Sequence, residues 1–176
     1  MIFRKTKLKG AYIIELERVK DERGFFARSF CEKEFEAHGL IGRFVQGNIS
    51  FNEKRGTLRG MHYQMAPHEE AKLIRCTRGA IYDVIIDLRP NSDTYLDWIG
   101  VELTATNRKV LYVPENFAHG YQTLVHDTEV YYPVSQFYSP SSVRGVRYDD
   151  PALGIEWPLE VQVISDQDKS WPDYRA

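Results

Sequence analysis

The sequence predicts an all-β fold of the sandwich or barrel type. Short runs rich in β-branched and aromatic residues follow one another along the chain, separated by Gly, Pro and Asp turn signals. A single short helix is expected over residues 32–38, anchored by Phe35 and stopped by Gly39. The 176 residues contain no linker, internal repeat or low-complexity tract, so one domain over residues 1–176 is expected.

The strands follow from local pattern, in chain order. They are predicted at residues 11–16, 25–30, 43–52, 56–64, 71–77, 80–88, 98–103, 110–113, 120–124 and 129–134. Asp21 to Gly24 indicates a turn, and the tail after Pro151 is expected to be irregular. Within that tail, Trp157 and Trp171 are expected to pack against the outside of the sheets.

Charge and cysteine content narrow the class of protein. With 23 basic and 25 acidic residues, the net charge of −2 gives no reason to expect a nucleic acid or an anionic membrane as partner. No apolar run has the length of a signal peptide or a membrane span, so a cytoplasmic protein is expected. Cys31 and Cys76 show no metal-ligand spacing, and no disulfide is expected between them.

The densest polar chemistry lies in the predicted strand 56–64. A period of two places Gly60, His62 and Gln64 on one face and Arg59 on the other, unless Gly60 marks a bulge that turns Arg59 round. Both arrangements remain open. A lone histidine would be interpreted as a satisfied core residue. Beside Arg59, Gln64 and Lys72, His62 is instead interpreted as the reactive base of an enzyme.

The dipeptide Arg78-Gly79 predicts a tight hairpin between residues 71–77 and 80–88. In that register Lys72 faces Ile85, and Asp83 lies diagonally from Lys72 within reach of its side chain. The other residues on this face are apolar, which indicates an interior face. An interior lysine needs either a partner or a function.

Three further groups are candidates, each with an ordinary structural alternative. His119 is predicted in a loop just before a strand, where it could equally cap a turn. Tyr132 and Tyr138 could be core aromatic residues of the last strand. Asp168 lies in an acidic stretch, residues 165–169, that could be a solvated turn.

Eight motifs, in order, carry a resemblance that covers nearly the whole chain. They are DERGFF (21–26), QGNIS (46–50), GTLRGMHYQ (56–64), KLI (72–74), DVIIDLR (83–89), VPENFAHGY (113–121), DDP (149–151) and IEWP (155–158). Together they resemble the dTDP-4-dehydrorhamnose 3,5-epimerases, enzymes of the cupin class. The resemblance implies a homodimeric β-jelly roll that needs no metal and no cofactor. The resemblance further implies that the substrate is a nucleotide-diphosphate-linked 4-keto-6-deoxyhexose, which the enzyme inverts at C3 and C5.

The resemblance also implies roles for individual residues. His62 is expected to be the general base and Asp168 the carboxylate that orients it. Lys72 is expected to stabilise an enolate at O4, and Tyr132 to be the general acid. The residues expected to bind the substrate are Arg23, Gln46, Asn48, Arg59, His119 and Tyr138, the last by stacking on the base.

Two positions depart from the family, which usually has glutamate where this chain has Arg28 and Val143. A guanidinium only donates hydrogen bonds, so Arg28 is hypothesised to contact the substrate and to favour a nucleotide other than dTDP, such as CDP. In the alternative, Arg28 points away to an acidic residue. A C3-only or a CDP-sugar epimerase is therefore the main competing interpretation.

Two functions outside this family are alternatives for a sequence of this pattern. A metal-dependent cupin would normally have a histidine where Gln64 stands, and the amide makes the ligand set poorer. A non-catalytic sugar-binding jelly roll has little need for His62, Lys72 and Tyr132 together.

Overall fold

The computed structural model describes residues 1–174, and antiparallel strands dominate it. The strands are β1 (Ile2–Lys5), β2 (Tyr12–Glu15), β3 (Val19–Asp21), β4 (Gly24–Phe26), β5 (Gln46–Asn52), β6 (Leu58–Gln64), β7 (Lys72–Arg78), β8 (Ala80–Asp87), β9 (Trp98–Thr104), β10 (Val110–Val113), β11 (Phe117–Thr123), β12 (Thr128–Val134) and β13 (Val143–Gly145). The helices are α1 (Glu32–Ala37) and α2 (Asp166–Lys169). Neither of these two helices of the described chain combines the length and the apolar character that crossing a membrane requires.

Two large sheets form the body of the protein and confirm the predicted all-β sandwich. The six-stranded sheet has the order β1-β2-β10-β7-β12-β5, and the five-stranded sheet has the order β13-β6-β11-β8-β9. Strands β3 and β4 form a separate two-stranded hairpin across the turn predicted at Asp21 to Gly24.

The main core lies between the inner faces of the two sheets. Ile74 and Cys76 come from one sheet, Ile81 and Ile85 from the other, and all four are fully buried or nearly so. The outer faces are covered separately, one by α1 through Phe35 and the other by the C-terminal tail. Helix α1, its buried Phe35 and the positive φ of Gly39 confirm the helix prediction.

The C-terminal tail reaches further than predicted. Trp157 packs on the outer face of the five-stranded sheet, as expected. Val163 forms a parallel bridge with Thr57, and the tail then forms the short helix α2, which the sequence pattern did not reveal. Trp171 lies against Gly145 of β13, where a Cβ atom would clash with the indole ring.

The predicted hairpin across Arg78-Gly79 is wrong. Strand β7 pairs with β10 and β12, whereas β8 pairs with β9 and β11 in the other sheet. The two-residue corner, with Gly79 at φ +78°, therefore carries the chain from one sheet to the other. The predicted interior face is nevertheless confirmed, because a period of two places the same side chains inwards whether they meet a neighbouring strand or an opposing sheet.

Other strand predictions were wrong at their limits. Of residues 25–30 only Phe25 and Phe26 lie in a strand, β4, because β3 offers a partner for just these two residues of the segment. Residues 43–52 become a strand only from Gln46, where pairing with β12 begins. His119, predicted in a loop, lies within β11, which starts earlier than expected.

The bulge hypothesis at Gly60 is confirmed. His119 pairs with His62 while Tyr121 pairs with Arg59, so β6 holds one residue more than β11 between these pairs. Gly60 has φ +126°, and a Cβ atom there would lie 2.5 Å from the Cα atom of Gly120. The extra residue lets Arg59 and His62 line the same inner cavity, while Met61 packs into the outer cluster.

We predict that Gly60→Ala destabilises the protein by about 3 kcal/mol, because it adds a backbone clash to a φ value that L-residues rarely adopt. Gly154→Ala is the matched control. Its φ is also positive, at +56°, but a Cβ atom there meets nothing within 4 Å. The control should cost about 1 kcal/mol. Chemical denaturation measures both, and equal losses would show that the approach to Gly120 carries no cost.

Candidate active site

Two adjoining cavities share the side chains of His62, Lys72, Tyr132 and Gln167. The first, of about 500 Å³, is also lined by Arg59, His119 and Asp168, and is called the arginine lobe here. The second, of about 440 Å³, is also lined by Gln46, Asn48, Glu70, Tyr138 and Val143, and is called the amide lobe. The sandwich therefore brings most of the predicted site residues together around a joint made by His62, Lys72 and Tyr132.

A short hydrogen bond links His62 to Asp168. The Nε2 atom of His62 lies 2.6 Å from Oδ1 of Asp168, and the backbone N–H of Gly60 donates to Oδ2 at 3.1 Å. Ser165 caps α2 by accepting from the backbone N–H of Asp168 at 3.1 Å. The tail thus places the carboxylate of Asp168 beside Nε2 of the His62 imidazole, the contact that the resemblance implied.

The environment keeps Asp168 ionised, and Asp168 orients the ring of His62. Burial opposes the charge on Asp168, but the hydrogen bond from His62 and the N–H of Gly60 bring the pKa of this carboxyl below its usual value. A carboxylate at Nε2 favours the tautomer with its proton on that atom. The lone pair of Nδ1 is then left to accept a proton. The side chain of His62 is 38% exposed, so a ligand can reach it.

Lys72 lies at the start of β7 with its side chain only 7% exposed. Its Nζ atom is 3.2 Å from Oε1 of Glu70 and 3.4 Å from the carbonyl oxygen of His62. Asp83, which the sequence placed within reach of Lys72, instead has its Oδ1 atom 2.7 Å from Nε2 of His119. The ammonium therefore lies in the joint between the carboxylate of Glu70 and the carbonyl of His62, neither of which belongs to the opposing strand β8.

Asp83 is fully buried behind this cluster. Burial raises the pKa of Asp83, and the neighbouring His119 and Lys72 offset only part of that rise. Its Oδ2 atom has no hydrogen-bond partner within residues 1–174. Asp83 thus orients His119 and adds to the field at Lys72 without contacting the ammonium.

Tyr132, on β12, completes the joint. Burial raises the pKa of the Tyr132 phenol, and the nearby Tyr121 and Glu70 raise it further, against an opposing effect of Arg59. The hydroxyl group therefore keeps its proton at neutral pH, which suits a group that must donate one.

A hydrogen bond to Asn52 fixes one side of the Arg59 guanidinium. Its Nε donates to Oδ1 of Asn52 at 2.7 Å, and the buried Asn52 in turn donates to the hydroxyl of Tyr121 and the carbonyl of Thr128, both at 3.2 Å. This arrangement leaves the terminal nitrogens of Arg59 available to an anionic ligand in the arginine lobe.

Gln64 is a structural clamp. The amide is 3% exposed, accepts from the N–H of Ser139 at 2.7 Å and donates to the carbonyl of His68 at 2.9 Å. It therefore ties the end of β6 to two loops. Residues 1–174 contain no group of three or more His, Cys, Asp or Glu side chains suited to holding a metal ion.

Two predicted residues, Arg23 and Arg28, do not line either lobe. Arg23 lies at the turn of the β3–β4 hairpin, paired with Asp21 and 83% exposed. Arg28 pairs with Glu34 of α1 at 3.0 Å, the alternative in which it points to an acidic residue. By contrast, the other departure, Val143, does line the amide lobe.

Sequence reasoning missed Glu70, which lines the amide lobe, and Gln167, which lines both lobes. Glu70 lies two residues before Lys72, so an extension of the strand period could have placed both on one face. Gln167 stands in the acidic stretch beside Asp168, and nothing in its local pattern separates it from a solvated turn.

Comparisons with known proteins agree over nearly the whole chain. The sequence profile described as dTDP-4-dehydrorhamnose 3,5-epimerase matches residues 5–176. A protein of that name from Methanothermobacter thermautotrophicus is 46% identical over 176 residues, covering 98% of this chain and 94% of the relative. The crystal structure of such an epimerase from Elizabethkingia anophelis has a TM-score of 0.96 and 42% identity, covering 99% of this chain and 96% of that one. Another, from Bacillus anthracis with TDP and PPi bound, has a TM-score of 0.94 and 41% identity, covering 98% and 99%.

Proposed function

The chain belongs to the dTDP-4-dehydrorhamnose 3,5-epimerase family, and we propose that His62, Lys72 and Tyr132 carry out its reaction. It is an isomerase with the cupin-like jelly roll of its relatives, and it inverts C3 and C5 of a dTDP-linked 4-keto-6-deoxyhexose. One observation carries the assignment of residues. A base, a buried ammonium and a protonated phenol line the one joint between two cavities.

The chemistry requires these three groups. C3 and C5 both adjoin the C4 ketone, so a proton leaves either carbon only if the electron pair can move to O4. In the proposal, Nδ1 of His62 accepts the proton and Asp168 stabilises the resulting imidazolium. The Lys72 ammonium stabilises the enolate oxygen. Tyr132 then donates its proton to the opposite face of the same carbon, which inverts the centre.

The remaining residues of the two lobes are proposed to bind the nucleotide sugar. Arg59 and His119 offer donors to the sugar diphosphate, and Gln46 and Asn48 offer amides from β5. Tyr138, with 65% of its surface exposed, is available to stack on the base. Its backbone N–H donates to the side chain of Gln46 at 2.6 Å.

We further propose that the enzyme is a homodimer in which the β3–β4 hairpin docks on a second copy. The hairpin exposes Val19, Phe25 and Phe26, the last at 77%, although a two-stranded ribbon is rarely stable alone. Docking would cover these side chains and bring Arg23 towards the cavity of the other copy. This accounts for a predicted binding residue that lies outside the cavity of its own chain.

The nucleotide of the family is dTDP, and we also propose a single domain and a cytoplasmic location for this enzyme. The pairing of Arg28 with Glu34 gives no support, within this chain, for a nucleotide other than dTDP. A single domain over residues 1–176 is supported by the core shared between the two sheets, although the last two residues lie outside the described part. The free Cys31 and Cys76 are compatible with the reducing cytoplasm that the sequence predicts.

We expect His62→Ala to slow deuterium exchange at C3 and C5 by about 10²–10⁴-fold, because the general base is lost. NMR of the dTDP-4-keto sugar in deuterated water measures both centres separately. His126→Ala, at an exposed turn, is the control and should exchange normally. Wild-type exchange in a folded His62→Ala would exclude His62 as the base.

Tyr132→Phe should separate proton removal from inversion. His62 can still accept the proton, and deuterium can return from the same side, so we expect exchange to persist while inversion falls. Tyr131→Phe, the neighbour on the other face of β12, is the matched control. Equal losses of exchange and inversion in Tyr132→Phe would mean that the phenol only positions the substrate.

Phe26→Asp should weaken the dimer, because it places a charge on the apolar surface of the hairpin. Light scattering should report a lower mass than for the wild type at the same concentration. Val125→Asp alters an exposed apolar residue outside the hairpin, 42% exposed, and should leave the mass unchanged. An unchanged mass for Phe26→Asp would place the interface elsewhere.

A further inference from the structure

We propose that Glu70 is a positioning residue of this enzyme, whose carboxylate fixes the Lys72 ammonium so that one N–H points at the substrate oxygen. The inference rests on the proposed function, since Glu70 would act only through the lysine that stabilises the enolate. It concerns a residue that none of the sequence motifs singled out.

The contacts of Lys72 define the geometry. An ammonium has three N–H donors and no acceptor. One is donated to the carbonyl oxygen of His62 at 3.4 Å, and the ammonium forms an ion pair with Oε1 of Glu70 at 3.2 Å. The third is left for a ligand in the joint. With the ammonium held by one hydrogen bond and one ion pair, its remaining donor is directed before the substrate arrives.

Glu70 is the carboxylate that Lys72 contacts within the described chain. The two side chains are 13% and 7% exposed, so solvent screens their attraction much less than at the surface. The other nearby carboxylate, Asp83, hydrogen-bonds to His119 instead. The positive charge in the joint is therefore oriented from the side of the amide lobe.

Glu70 is itself fixed in place. The next residue, Ala71, is bonded to Ser135 in both directions, donating to its Oγ at 2.8 Å and accepting from its N–H at 2.9 Å. The amide of Gln64 also lies 3.4 Å from Oε2 of Glu70. A carboxylate that only neutralised a buried lysine would not need such fixed orientation. Its nearness also helps to keep the phenol of Tyr132 protonated.

The first test is Glu70→Gln, which keeps the shape of the side chain and removes its charge. We expect kcat for inversion to fall by up to about 100-fold, because a misdirected donor weakens only the transition state. KM, and the affinity for dTDP measured by calorimetry, should change little. Glu70→Asp restores the charge and should recover part of the rate. Glu69→Gln, one residue earlier and outside both lobes, is the matched control and should behave as wild type.

A double-mutant cycle with Lys72→Met separates positioning from a structural role. If Glu70 acts through Lys72, then Glu70→Gln should have no further effect on kcat in the Lys72→Met background. Independent, multiplicative losses would overturn the inference, as would a normal kcat for Glu70→Gln beside an impaired Lys72→Met. A fully active Lys72→Met would overturn the proposed role of Lys72 together with that of Glu70, so the two failures are distinguishable.

Discussion

One carboxylate, that of Asp168, connects the fold of this protein to its chemistry. It accepts hydrogen bonds from the ring of His62 and from the backbone of Gly60, the two sides of the bulge in β6. The C-terminal tail must therefore pair with Thr57 and form α2 before the ring of His62 is oriented. The bulge depends in turn on the close approach of Gly60 to Gly120, which no larger residue permits. The orientation of His62 therefore depends both on the local backbone at Gly60 and on the packing of the C-terminal tail that carries Asp168.

Neighbouring groups in one small region have pKa values shifted in opposite directions. Asp168 stays charged because it accepts bonds from His62 and Gly60, whereas burial without enough compensation raises the pKa of Asp83 and of Tyr132. The site therefore holds a charged carboxylate beside His62 and a protonated phenol at Tyr132 before any substrate binds. Such a separation is what an enzyme needs when it removes a proton on one face and returns another on the opposite face.

The sequence predicted the faces of strands better than their partners. A period of two correctly placed Lys72 and Asp83 towards the interior, but a tight corner at Gly79 has the same local pattern whether the chain turns back or crosses to another sheet. The direction of Arg59 depended on a bulge, and a bulge depends on the backbone of the opposite strand. The role of Asp168 came only from the family resemblance, because residues of an irregular tail carry no periodic signal of what they will contact.

Individual site residues show the same limit. Tyr132 and His62 could be selected from strand patterns and the resemblance together, and both line the joint. Arg23 and Arg28 could be selected too, yet they lie on the exposed surface of this chain, because the local pattern does not say which acidic neighbour each will pair with. The strand period could place Glu70 on the same face as Lys72, but its contact with the ammonium depends on three-dimensional packing.

Gln64 also bears on how this protein could evolve. The amide uses its oxygen on Ser139 and its nitrogen on His68, so two loops that border the amide lobe depend on one side chain. A histidine at this position, bound to a metal through one ring nitrogen, would have a single nitrogen left for both loops. Acquiring a metal ligand there would release one loop at the same step. A change from Gln64 to a metal-binding histidine would therefore cost one loop contact as well as alter the chemistry of the site.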